Sequence, residues 1–306
     1  MRPAPLLASL ALLASGLAPT LAAPALPAGA AGALPAGAAK AVNAAAALAP
    51  RDTPPDPAGW RLTWHDEFNG RAGAGPNPSK WVFDLGGGGW GNSELEEYRA
   101  ENAIQDGKGN LVITARKLGP DAPRCGLLAC EYSSARLKTQ GIFSQAYGRF
   151  EARVQVPGGA GLWPAFWMLG ADIADRGWPA AGEIDIMENI GREPNQAHGT
   201  IHGPGYSGGS AIGAPYLSTE PLSRTFHTFG IDWTPDRIAW AVDGNVYETR
   251  TPADLPPNTR WVFDHPMFLI LNLAVGGSWP GRPNDATPFP ARMVVDWVRV
   301  YTPAGK

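Results

Sequence analysis

Arg149-Phe150-Glu151-Ala152-Arg153-Val154-Gln155-Val156 alternates a polar with an apolar side chain over its whole length. Successive side chains of an extended chain point to opposite faces, so this stretch reads as a strand with one face in a core. Ile238, Trp240 and Val242 repeat the pattern and run into Asp243-Gly244, a pair that favours a two-residue hairpin. Residues 267–275 (MFLILNLAV) form a continuous apolar run, as expected of a central strand buried on both faces. Residues 110–116 and 293–301 are strand-like too. With 38 Gly and 31 Pro, long helices have little room to form. Ser93 followed by Glu96 has the spacing of a capping box for a short helix, against which the neighbouring Gly91 counts. No internal repeat is visible. Many short strands with Gly/Pro-rich turns predict an all-β fold, an antiparallel β-sandwich of jelly-roll type with a concave substrate cleft.

The sandwich does not begin at the N-terminus. Residues 1–57 contain no Trp, Tyr or Phe, and all 12 tryptophans lie from Trp60 onward. Aromatic rings carry much of the area a core buries, so the folded domain is expected over 58–303. Residues 1–23 read as a signal peptide: Arg2, an apolar stretch from Leu6 to Leu17, then small residues around Ala22 and Ala23. Ser9, Ser15, Gly16 and Pro19 interrupt that stretch and leave it short of the roughly 20 apolar residues of a membrane span. Residues 24–57 are nearly all Ala, Pro and Gly, too poor in burial to offset ordering entropy, and are expected to form a disordered spacer. The expectation is a secreted, extracellular monomer that keeps no membrane attachment after cleavage.

Net charge is −3. No basic stripe is present, which argues against a nucleic-acid partner and suits a neutral polymer. Cys125 and Cys130 are the only cysteines. In an exported chain, so close together in a Gly- and Pro-containing segment, they predict a local disulfide worth roughly 2 kcal/mol in the chain-entropy model. No further Cys or nearby His completes a zinc site.

Gly182-Glu183-Ile184-Asp185-Ile186-Met187-Glu188-Asn189 carries the chemistry. In a regular strand Glu183 and Asp185 share a face and Glu188 points away. One extra residue between Asp185 and Glu188, a β-bulge, returns Glu188 to the same side. Three carboxylates in one desolvated cleft repel one another and raise the pKa of at least one. Retaining glycoside hydrolysis needs that state: one carboxylate ionised to attack the anomeric carbon, another protonated to release the leaving oxygen.

The chain resembles glycoside hydrolase family 16, in particular its laminarinase-like endo-β-1,3-glucanases. The matching stretches are WHDEFNG (64–70), WGNSE (90–94), YGRFEARVQVP (147–157), GLWPAFWML (161–169), GEIDIME (182–188), HGTIHG (198–203), NLAVGGSWPG (272–281) and VDWVRVY (295–301). Two residues between Asp185 and Glu188 match the bulged laminarinase type; licheninase-type members have one. The resemblance implies Glu183 as nucleophile, Asp185 as its assistant and Glu188 as acid/base. It implies sugar contacts by Asn92, Trp163, Trp167, His202 and Trp279, with Trp178 either at the rim or packed. It further implies a structural calcium ion on the face away from the cleft, held by Glu67, the Gly107 carbonyl and Asp296, an all-oxygen set; no cofactor is needed for the chemistry. Glu96 stands where many relatives carry glutamine, which adds negative charge near the cleft. The implied partner is a β-glucan cut at internal β-1,3 or mixed β-1,3/1,4 bonds. A non-catalytic glucan-binding module, a same-fold enzyme for agar or galactan, and a xyloglucan transglycosylase are the alternatives.

Overall fold

The computed structural model describes residues 56–125 and 128–305. The expected signal peptide (1–23) and all but the last two residues of the expected spacer (24–57) lie outside the described residues. Strands run from Trp60 to Pro303 and build two large sheets. Among the described residues the one α-helix, Ile173–Arg176, is a single turn, and no helix is long and apolar enough to cross a membrane.

In the ten-stranded sheet, Gly148–Gln155 lies between His227–Thr234 and Ala291–Pro303. Its alternation is realised as expected: Phe150, Ala152 and Val154 are fully buried while Arg149, Glu151 and Arg153 reach the other face. Arg237–Val242 pairs with Asn245–Arg250. Asp243 (φ 50°) and Gly244 (φ 79°) make the turn, a left-handed pair that matches the strand twist. One pair departs from the antiparallel expectation: Glu96–Tyr98 runs parallel to Tyr132–Ser134.

The seven-stranded sheet is antiparallel throughout, in the order Ile212–Leu217, Gln196–His202, Glu183–Glu188, Leu162–Gly170, Met267–Val275, Arg136–Lys138, Val82–Asp84. Met267–Val275 is buried at every position. Phe166, Met168, Ile184, Leu269 and Leu271 from this sheet join Phe150, Trp233, Val298 and Val300 from the other in one apolar core.

The capping box does not form. Ser93 has φ 60°, whereas an N-cap needs an extended residue, and Glu96 opens a strand instead of a helical turn. Its Oε2 accepts from the Val275 N–H at 2.7 Å. Cys125 and Cys130 are joined as a disulfide.

Candidate active site

The outer face of the seven-stranded sheet lines a cleft of about 880 Å³. Period two decides what faces it. Trp163, Ala165, Trp167 and Leu169 come from one strand, Glu183, Asp185 and Glu188 from the next, and His198, Thr200 and His202 from the third. The intervening Phe166, Met168, Ile184 and Ile201 point into the core.

The bulge is present. Phe166 pairs with Met187 and Trp167 with Asp185, so Ile186 has no opposite residue. On the other side Asp185 pairs with Thr200 and Glu188 with His198, three steps against two. The extra residue puts all three acids in the cleft and buries both Ile186 and Met187. From the opposite sheet, Trp240 Nε1 crosses the core and donates to the Asp185 carbonyl at 2.8 Å. Gly199 makes room for it: a side-chain carbon there would sit 2.5 Å from the Trp240 ring.

Indole donors frame the acids. Trp178 Nε1 donates to Glu183 Oε2 at 2.9 Å, and Trp163 Nε1 to Glu188 Oε1 at 3.0 Å. Trp178 is therefore a rim residue, half of its surface exposed (51%) and its polar end on Glu183. His202 Nε2 lies 3.0 Å from Asp185 Oδ2 and 3.7 Å from Glu183 Oε1. The first approach is off the ring's N–H line, and Asp185 Oδ2 is left without an aligned donor. The Gly208 N–H donates to His202 Nδ1 at 3.1 Å, which places the ring proton on Nε2, facing the acids.

Burial, then the charge of Asp185, pushes the Glu183 carboxyl up to about 8, against the opposing pull of His202 and the Trp178 indole. Burial likewise pushes Asp185 up to about 8. Glu188 is driven well above the usual carboxylate range by burial, then by Asp185 and Glu183. Three such groups cannot ionise together, so the cluster retains at least one proton at neutral pH.

Glu183, Asp185 and His202 are also close enough to hold a metal ion. The Gly208 N–H works against that use, because it occupies Nδ1 and keeps a proton on the nitrogen that would ligate.

Each expected sugar contact lines the cleft: Asn92, Trp163, Trp167, His202 and Trp279. Trp279 meets Trp163 edge-on at 5.5 Å and His198 at 5.0 Å. Trp90, Glu94, Arg136, His198 and Asn272 line it as well and were not anticipated. The Arg136 guanidinium lies over both Trp90 and Trp167, at 5.1 and 4.8 Å. Two of these had a signal in the sequence. Asn272 is the lone polar residue of a buried apolar run, and His198 shares the period-two face of His202.

The residues expected to bind calcium sit by the other sheet: Glu67 follows its Trp60–Asp66 strand and Asp296 lies in Ala291–Pro303. Oxygen donors suit calcium, but each carboxylate also meets a guanidinium. Arg299 grips Glu67 at 2.9 and 2.7 Å, and Arg153 meets Asp296 at 2.6 Å, so an ion would have to share them.

Comparison with known proteins bears on the same residues. A family model described as "Glycosyl hydrolases family 16" matches residues 92–299. A beta-glucanase of Rhodothermus marinus is 45% identical over 260 residues, 79% of this chain and 85% of that protein. The X-ray structure of an endo-beta-1,3-glucanase from Pyrococcus furiosus superposes with a TM-score of 0.76 at 49% identity, over 81% of this chain and 96% of that one. The laminarinase catalytic domain from Thermotoga maritima gives a TM-score of 0.75 at 45% identity, over 80% of this chain and 99% of that one. Two other relatives are much longer proteins, of which this chain spans 34% and 39%.

Proposed function

Because the chain belongs to glycosyl hydrolase family 16, we propose that it hydrolyses internal β-1,3 glucosidic bonds of a β-glucan outside the cell, with retention at the anomeric carbon. The observation that carries this reading is the bulge at Ile186, which sets Glu183 and Glu188 on one cleft face with Asp185 between them. Glu183 attacks the anomeric carbon while Glu188 gives its proton to the leaving oxygen. The glycosyl ester then cancels the charge of Glu183, and the pKa of Glu188 falls. Glu188 can now take a proton from water, which attacks the ester and regenerates both acids. Asp185 and the Trp178 indole hold Glu183 in place through the cycle. Trp163, Trp167 and Trp279 offer flat apolar surface to the C–H faces of the sugar rings.

The relatives named above favour β-1,3-glucan, and mixed β-1,3/1,4-glucan falls within the same reading. Secretion rests on the N-terminal 23 residues and calcium on Glu67, Gly107 and Asp296. Incubating the purified protein with laminarin, lichenan, agarose and xyloglucan, and resolving the products, tests the substrate. Proton NMR of the first product from laminarin should show the β-anomer. An initial α-product would overturn the mechanism, and cleavage of agarose alone would overturn the substrate.

A further inference from the structure

Beyond Glu183, Asp185 and Glu188 the cleft meets a further carboxyl pair. Glu94 lines the Asn92 end and is 6% exposed; Glu96 behind it is 0% exposed. Among the described residues no cation pairs with Glu96. Its Oε2 accepts the Val275 N–H, while its Oε1 is buried with no donor. The side chain it faces is another acid, Glu94. Two ionised carboxylates cannot hydrogen-bond, whereas a proton between them satisfies the orphaned oxygen.

The direction of the surrounding bonds says which acid keeps it. Trp167 Nε1 donates to Asn272 Oδ1 at 2.7 Å, and Asn272 Nδ2 donates to the Tyr98 hydroxyl at 3.1 Å. That hydroxyl has then to donate onward, to Glu94 Oε2 at 3.0 Å, while Asn92 Nδ2 donates to Glu94 Oε1 at 3.0 Å. Every donor in the relay ends on Glu94, so Glu94 is the anion and Glu96 the acid. We propose that Glu96 is a positioning residue: its carboxyl stays protonated, donates to Glu94, and holds the Glu94 carboxylate charged and oriented toward the hydroxyls of a sugar bound at the Asn92 end of the cleft.

A carboxylate has about four acceptor sites, so three inward donors leave roughly one for the sugar. Burial, then the charge of Glu94, raises Glu96 well above the carboxylate range. The titratable groups around it are Glu94 and Tyr98 on its own segment, and Tyr132, its partner on the parallel strand. Arg136 acts on Tyr98 and is ion-paired with Asp84. On this proposal Glu96 adds no charge to the cleft at neutral pH, where the sequence alone suggested extra negative charge.

The identity of the sugar rests on the proposed function; the proton does not. KM and kcat on laminarin oligosaccharides should be measured from about pH 6 to about pH 9.5 for wild type, Glu96→Gln and Glu96→Leu. Ionising Glu96 removes the donor and sets two charges side by side, so the wild-type KM should climb roughly tenfold at the alkaline end. The amide of Glu96→Gln donates at every pH and its KM should stay flat. Glu96→Leu has no donor and should carry the raised KM throughout with kcat little changed. Parallel KM profiles for wild type and Glu96→Gln overturn the proposal. Should no variant act on laminarin, the functional reading fails, and carbon NMR of carboxyl-labelled glutamate still decides the proton. The resonance that Glu96→Gln removes must be a protonated carboxyl at about pH 7; an ionised one overturns the proposal.

Discussion

Glu183 is a costly residue to keep. Its folded-state carboxyl is raised to about 8 from an ordinary value near 4.5, because burial and Asp185 oppose its charge. A raised acid binds its proton more tightly when folded than when unfolded. The penalty is absent below about pH 4.5, grows as pH rises, and is complete above about pH 8. Glu183→Gln keeps the shape and drops the charge. It should lower turnover by on the order of 10⁴-fold yet melt about 2–4 °C above wild type at pH 8, as a gain near 1 kcal/mol would give. Calorimetry at pH 8 and pH 4.5 checks this, since the gain should vanish at the lower pH. A variant less stable than wild type at pH 8 would contradict the desolvation account. The three acids were legible in the sequence because carboxylates interrupt an apolar strand. The protonation of Glu96 was not legible: Glu94 stands two places away in the chain, but only the fold shows that its side chain meets Glu96 while the distant Val275 N–H donates to Glu96 Oε2.

At the scale of the strand, the reading depends on one surplus residue. The Glu-x-Asp-x-x-Glu spacing required a bulge, and Ile186 provides it. Strands with clean alternation, such as Gly148–Gln155, were equally plain. The failures fell where tertiary contacts decide: Ser93 takes a left-handed turn, and Glu96–Tyr98 is a three-residue strand whose partners lie far along the chain. Gly199 is another position whose reason is purely tertiary, since it clears the path of Trp240 to the acid strand. Gly199→Ala should cost about 1–3 kcal/mol through overpacking. Because the displaced ring would release the Asp185 carbonyl, kcat should fall as well while KM holds. Urea unfolding and steady-state kinetics on the same preparation check both. A loss of stability with kcat intact would mean that the Trp240 bond serves only the core.

For the domain as a whole, the division of labour between the sheets matters more than any single contact. The seven-stranded sheet carries the cleft, and the ten-stranded sheet carries the carboxylates proposed for calcium. Chelation should therefore lower the melting temperature more than it lowers turnover at moderate temperature, and added calcium should restore it. A melting temperature indifferent to both would mean that protein partners, Arg299 and His65 at Glu67 and Arg153 at Asp296 among them, satisfy these carboxylates without an ion. The Trp240 bond sets a limit on how separately the two layers can behave. It fastens the backbone beneath the acids to a side chain rooted in the opposite layer, so the layers cannot slip past one another without disturbing Asp185. The catalytic strand is then expected to loosen together with its scaffold. Heat inactivation followed by residual activity should track loss of the near-ultraviolet tryptophan dichroism degree for degree, with no dead but folded species at any temperature between.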